Sequence, residues 1–133
     1  MGAYELVREF HHRFGVPIRD HPAMPSVERR EMRQRLIAEE FAEFCAANRA
    51  DDLVEAADAL VDLLYVIYGA CVEYGIRPKP LFEEVHRSNM SKLGPNGIPL
   101  RRSDGKILKG PNYSPPNLAP LLKAQKKHGP YAP

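Results

Sequence analysis

Glu39, Glu40 and Glu43 fall within five residues, and Asp62 is the single charge in the apolar run Ala59–Tyr68. At about 100° per residue on a helix, Glu39 and Glu43 stand about 40° apart and Glu40 and Glu43 about 60° apart, so all three share one side. Glu55, Asp58 and Asp62 are spaced i, i+3, i+7 on the following segment, and Asp51 extends that stripe. Two antiparallel helices joined by a tight turn would bring the two acidic faces together. A carboxylate amid apolar neighbours is drawn out of water when its helix packs, which costs several kcal/mol or more (roughly) without a partner or a metal. Packed carboxylates also repel one another and push their pKa values up unless a cation intervenes. Mg²⁺ and Mn²⁺ prefer carboxylate oxygen and water, and Mg²⁺ is commonly completed by substrate phosphates. The constellation therefore points to divalent-cation chemistry on phosphates. A glutamate run alone is more often a solvated helix face; the neighbours of Asp62 argue against that explanation here. Glu55 belongs rather to an exposed stripe.

The elements that must hold these residues are helical. Ala3–Phe14 carries Leu6, Val7, Phe10 and Phe14 at helical spacing and is stopped by Gly15. Pro17, Pro22 and Pro25 make a stiff connector. Ser26 is the expected cap of a second helix from Val27 to about Asn48, with Glu28 in its first turn. Asp51 or Asp52 is expected to cap a third helix that runs to Tyr74 and stops at Gly75. From Leu60 onward that helix is apolar nearly all round, so it should be central or lie at a subunit interface. Pro80 suits the start of a fourth helix that reaches about Leu93 and closes at Gly94. A short last helix, Leu118 to about Lys127, follows Asn117 as cap. The expected fold is all-α, a four- to five-helix bundle. Residues 1–94 form the helical catalytic part, and 95–133 a Pro/Gly-rich basic segment that folds back on it as part of one domain.

Composition bounds the rest. The chain has 133 residues, 44% of them apolar and 27% charged, values ordinary for one globular domain. Met1–Phe14 contains Glu5, Arg8, Glu9 and Arg13 and lacks the apolar core of a signal peptide, and no apolar stretch is long enough to span a bilayer. A cytoplasmic protein with no membrane partner is expected. Cys45 and Cys71 lack zinc-type spacing and read as reduced thiols in or near the core. The net charge of +2 hides an asymmetry: residues 1–91 hold 11 Lys/Arg against 16 Asp/Glu, whereas residues 92–133 hold 8 against one. A basic tail on an acidic body would, if it folds back, bring phosphate-binding cations to the carboxylates. Two other classes fit parts of the chain. A non-enzymatic helical dimerisation or regulatory module accounts for the third helix. A basic-tailed nucleic-acid binder accounts for the tail, but it ranks third because Tyr113 and Tyr131 are the tail's only aromatics.

The fourth helix offers His86, Asn89 and Lys92, three residues apart on one polar edge. Glu83-x-x-His86 also has the spacing of a di-iron carboxylate bundle, but that architecture needs two such motifs on different helices and the chain has one.

Several motifs, taken in order, resemble a known family. Glu9-Phe10-His11, Glu39-Glu40-x-x-Glu43, Asp58-x-x-x-Asp62-Leu63-Leu64-Tyr65, the run Asp62–Ala70, the segment Glu84–Lys92 and the loop Asp104–Lys109 together are similar to the MazG-like all-α nucleoside triphosphate pyrophosphohydrolases. The likeness is nearest to the small members related to phosphoribosyl-ATP pyrophosphohydrolase and the dimeric dUTPases, and it runs from Val7 to about Pro116. Each motif is weak alone; their order and spacing are more specific. The wider family places a Glu at the position of Ala59, for which Asp58 is the nearest substitute. The resemblance implies metal-dependent hydrolysis of an NTP or dNTP to the monophosphate and pyrophosphate, as in house-cleaning of nucleotide pools. It implies Mg²⁺, with Mn²⁺ as substitute, on Glu40, Glu43, Asp58 and Asp62, and Glu39 as proton acceptor or outer metal ligand. Lys92, Lys106 and Lys109 are the implied cations for the β- and γ-phosphates, with Asn89 for base or sugar. Tyr65, Phe10 and His11 are candidates for the base pocket, although core packing is the favoured role of Tyr65 and Phe10. The apolar third helix adds an expected homodimer or dimer of dimers, with active sites near the subunit interface.

Overall fold

A computed structural model describes residues 1–128. The chain is all-α: α1 (Ala3–Phe14), α2 (Val27–Arg49), α3 (Leu53–Tyr74), α4 (Pro78–Met90) and α5 (Ala119–His128), with a 3₁₀ turn at Pro95–Gly97. Among the described residues the one β pairing is an isolated bridge between Arg101 and Ile107. Among the described residues no single helix is long and apolar enough to cross a membrane. The expected boundaries of the first three helices hold to within a residue. Those of α4 do not: it starts at Pro78 and ends at Met90. Pro78 and Pro80 both fall in the first turn, where the missing N–H groups have no intrahelical acceptor to lose. Lys92 therefore lies beyond the helix, and the expected helical edge of His86, Asn89 and Lys92 is cut short.

The described residues form two compact units, Met1–Arg77 with the end of α5 from Gln125, and Pro78–Ala124. In the first, α3 packs against both α1 and α2. Ser26 caps α2, its Oγ accepting from the Arg29 N–H at 3.2 Å, and Asp52 caps α3, its Oδ1 accepting from the Glu55 N–H at 3.1 Å. Between them Asp51 takes a left-handed conformation (φ 52°), which aspartate tolerates, and the Asp52 N–H returns to the Ala47 carbonyl at 3.1 Å. This tight reversal sets α2 and α3 antiparallel with their acidic segments side by side. Gly15 and Gly75 end α1 and α3 in the left-handed cap conformation. The Gln125 side chain closes the unit, accepting from the Arg77 N–H and donating to the Arg77 carbonyl, each at 2.9 Å.

The core is small and does not follow the apolar face expected for α1. Tyr4, Val7 and His11 are buried, and Val7 and Tyr4 pack with Val72 of α3. Leu6, Phe10 and Phe14 are 49%, 37% and 70% exposed, Phe10 and Phe14 stacking on each other at 4.4 Å. Along α3, Leu53, Leu60, Leu64 and Ile67 are exposed, as are Val54 and Val61. With Ala57, also exposed, the first four follow a 4-3-4-3 spacing, so α3 is central on one side and apolar but uncovered on the other.

In the second unit the segment after α4 is held by backbone contacts. The Gly110 N–H reaches the Lys92 carbonyl at 2.9 Å, and the Ser114 N–H reaches Ser91 Oγ at 2.8 Å. Arg101–Lys106 forms a turn, with Gly105 at φ 89° and the Arg102 N–H donating to the Lys106 carbonyl at 2.8 Å. Glu84 pairs with Arg87 and accepts from the Asn117 N–H, which holds its carboxyl at a pKa of about 2.

Candidate active site

Glu40 and Glu43 stand one turn apart on α2, and Asp62 stands on α3. One carboxylate oxygen from each lies within 4.8 Å of the others, a spacing that suits a metal ion. Burial pushes the Glu40 carboxyl above its ordinary pKa, and the charges of Glu43, Asp62 and Asp58 push it further. Glu40 Oε2 is buried with no hydrogen-bond donor, and no ion pair reaches any of the three among the described residues. Three carboxylates that repel, one of them carrying a buried oxygen with no donor, fit a hard divalent cation, which would relieve the repulsion.

Asp62 is half-buried rather than withdrawn from water as expected, because its neighbours Leu60, Val61 and Leu64 are themselves exposed. Asp58 is exposed and lies outside the triad, yet near enough to act on Glu40. Glu39 and Glu55 are exposed and also outside it. Ala59 is 3% exposed on the packed side of α3. Asn89, Lys92, Lys106 and Lys109 belong to the second unit; all but the half-buried Lys92 are exposed, and the Lys109 ammonium sits 4.8 Å above the Tyr113 ring. Glu83 pairs with Lys79, and His86 is exposed.

One turn from the triad on the same two helices lies a cavity of about 440 Å³, lined by Phe10, His11, Arg29, Met32, Leu36 and Tyr65 among others. Tyr65 and Phe10 meet edge to face at 5.8 Å; they are 39% and 37% exposed, so they wall a cavity rather than fill the core. Below it the buried Glu73 carboxylate accepts from Arg29 Nε and Nη2 at 2.8 and 3.0 Å and lies 3.1 Å from Arg33 Nη1. Arg33 Nη2 also donates to the Val66 carbonyl at 2.6 Å, crossing α3 over Gly69, where a methyl group would strike the guanidinium. The sequence reading missed this knot. Its signal was available: Glu73 is the only charge between Leu63 and Tyr74, the same pattern that singled out Asp62.

The phosphoribosyl-ATP pyrophosphohydrolase family model matches residues 7–89, more than half of the chain, including the acidic triad and the cavity beside it. The chain belongs to this family. Within the MazG-like all-α superfamily, the pyrophosphohydrolase family places the acidic pair α2 and α3 in its matched span. A solved structure from Exiguobacterium sp. 255-15, of a protein itself only proposed to be an NTP pyrophosphohydrolase, is 33% identical over 94% of each chain, with a TM-score of 0.49. No curated protein matches. Family membership implies pyrophosphohydrolase chemistry on a nucleotide, and the acidic triad is a group able to hold a metal ion.

Proposed function

We propose that the protein is a Mg²⁺-dependent nucleoside triphosphate pyrophosphohydrolase that converts an NTP or dNTP and water to the monophosphate and pyrophosphate, and so clears unwanted nucleotides from the pool. The carrying observation is the unpaired triad Glu40, Glu43 and Asp62 on the helix pair that the family model spans. Asp58 is the proposed fourth ligand. A divalent cation held there, Mg²⁺ or Mn²⁺, would neutralise phosphate charge and lower the pKa of water. Glu39, exposed beside the triad, is the proposed acceptor of the proton that water loses as its oxygen bonds to the α-phosphorus. The bond from that phosphorus to the bridging oxygen breaks, and pyrophosphate carries the electron pair away. Lys92, Lys106 and Lys109 are the proposed counter-charges for the β- and γ-phosphates. Asn89, able to donate and accept, is the proposed base or sugar contact, and Tyr65 a wall of the base pocket.

Pyrophosphate release from a panel of NTPs and dNTPs tests the proposal. Wild type should release it only with Mg²⁺ or Mn²⁺. Asp62→Asn and Glu40→Gln should each lose about a hundredfold or more while staying folded. Release that needs no cation would refute it.

The exposed stripe Leu53, Ala57, Leu60, Leu64 and Ile67 supports a homodimer or dimer of dimers, because its alternating spacing suits a helix–helix seam. Light scattering at micromolar concentration should give a dimer or larger for wild type and a smaller species for Leu60→Glu/Leu64→Glu. A wild-type monomer would exclude it. A purely non-enzymatic oligomerisation module would form the same seam but bind no cation at Glu40.

A further inference from the structure

Three cations of the second unit are neutralised in place, Lys79 by Glu83, Arg87 by Glu84 and Arg102 by Asp104. Among the described residues no carboxylate pairs with Lys92, Lys106 or Lys109. Lys109 has an aromatic anchor instead: its ammonium stands 4.8 Å above the centre of the Tyr113 ring. The negative face of the ring attracts the cation from one side without cancelling its charge. The other N–H donors of the ammonium stay available to a ligand. The backbone fixes both partners. The Gly110 N–H donates to the Lys92 carbonyl at 2.9 Å, at a crossing so close that a methyl group on Gly110 would strike the Leu93 carbonyl and lie 2.7 Å from the Lys92 carbonyl oxygen. Lys109 therefore leaves the chain beside Lys92. The Tyr113 N–H donates to the Gly110 carbonyl at 3.2 Å, and the Ser114 N–H to Ser91 Oγ at 2.8 Å, so the half-buried Tyr113 is tied to the chain just past α4.

Resting on the function proposed above, in which Lys109 meets the β- and γ-phosphates, we infer that Tyr113 is a positioning residue for the polyphosphate. Its ring holds the Lys109 ammonium in one place, uncompensated, before the anion arrives. A lysine is a point charge on a flexible stem, and ordering that stem on a ligand costs affinity that a pre-formed contact spares. A carboxylate in place of the ring would also order the side chain, but it would neutralise the charge that the phosphates need, as Glu83 does for Lys79. Tyr113 acts through the lysine and takes no part of its own in phosphoryl transfer.

The test is binding of inorganic pyrophosphate in the presence of Mg²⁺, followed by calorimetry. Tyr113→Leu should bind it about three- to fivefold more weakly than wild type, and Tyr113→Phe, which keeps the ring, should match wild type. In a Lys109→Met background Tyr113→Leu should change nothing further, because the lysine it acts through is gone. An equal loss in both backgrounds would mean a role in packing and would overturn the inference. Unchanged affinity in Tyr113→Leu, or no binding of pyrophosphate to wild type, would overturn it too. The contact also has a signature that needs no variant at position 113. The Lys109 ε-methylene resonance, assigned by its loss in Lys109→Met, should be shifted upfield by the ring. A resonance at the position of the other lysines would overturn the inference even if Tyr113→Leu does not fold. The hydrolase reading is judged separately by pyrophosphate release: a protein that shows this binding pattern but releases none from any nucleotide keeps the Tyr113–Lys109 assignment and loses the reaction.

Discussion

At one end of the α2–α3 pair the Glu73 carboxylate, 1% exposed, is enclosed by Arg29 and Arg33. Two turns along α2 from Arg33 and three turns back along α3 from Glu73, Glu40, Glu43 and Asp62 converge with no basic side chain among them. Both places gather carboxylates between the same two helices, and each takes at least one carboxylate oxygen out of water. At the first, charge-assisted hydrogen bonds from guanidinium groups offset the desolvation, and the result is a fixed structural tie. At the second nothing in the described chain offsets it, and the strain appears as a Glu40 carboxyl pushed upward. A lone acidic residue in an apolar helix therefore has two meanings, and its partner tells them apart.

Breaking the tie should have the largest effect. Glu73→Gln leaves Arg33 buried without its counter-charge, and urea unfolding should report a loss of about 3–5 kcal/mol. Gly69→Ala should cost about 1–3 kcal/mol by the same measurement, since the added methyl displaces the Arg33 guanidinium from the Val66 carbonyl. Glu40→Gln should act in the opposite direction. Without added cation it removes repulsion, so the unfolding midpoint should rise slightly, by less than about 1 kcal/mol in stability. Mg²⁺ should then stabilise wild type and leave Glu40→Gln unmoved.

The smallest effects are in pH. His11 is held below its ordinary pKa of 6.5, so the unfolded chain takes up the proton first. Its contribution to stability is complete above pH 6.5 and should be lost as pH falls from there through the lowered value; His11→Phe should flatten that part of the profile. Glu40 has the opposite sign. Its folded pKa is raised, so the stability it lends is present below its ordinary 4.5 and is lost as pH rises through the raised value. Mg²⁺ should therefore raise the unfolding midpoint more at pH 7.5 than at pH 5.

The helices were legible because their ends are marked by local chemistry: Ser26 and Asp52 as caps, Gly15 and Gly75 as left-handed stops. The acidic cluster was legible from periodicity, since Glu40 and Glu43 share a face and Asp62 sits alone in an apolar run. Which face of α1 is buried was not. His11 goes inside while Phe14 stays out because its ring meets the Pro17 carbonyl of the connector and lies near the Arg33 guanidinium of α2, which the spacing of α1 does not encode. The Arg33–Glu73 pairing spans 40 positions in sequence and depends on Gly69 leaving a path across α3, so no local pattern announces it. The early stop of α4 reflects Ser91, whose hydroxyl donates to the Ser88 carbonyl at 2.6 Å and whose N–H contacts the carbonyls of both Arg87 and Ser88.

The central claim is that the uncompensated carboxylates hold a divalent cation for work on a nucleotide, and calorimetric titration with Mn²⁺ addresses it most directly. Wild type and Glu73→Asp, which keeps the structural charge, should bind the cation, whereas Glu40→Gln and Asp62→Asn should bind it at least about tenfold more weakly while remaining helical. Equal Mn²⁺ affinity in all four proteins would contradict the account, because the triad would then be an acidic patch that binds no ion of its own.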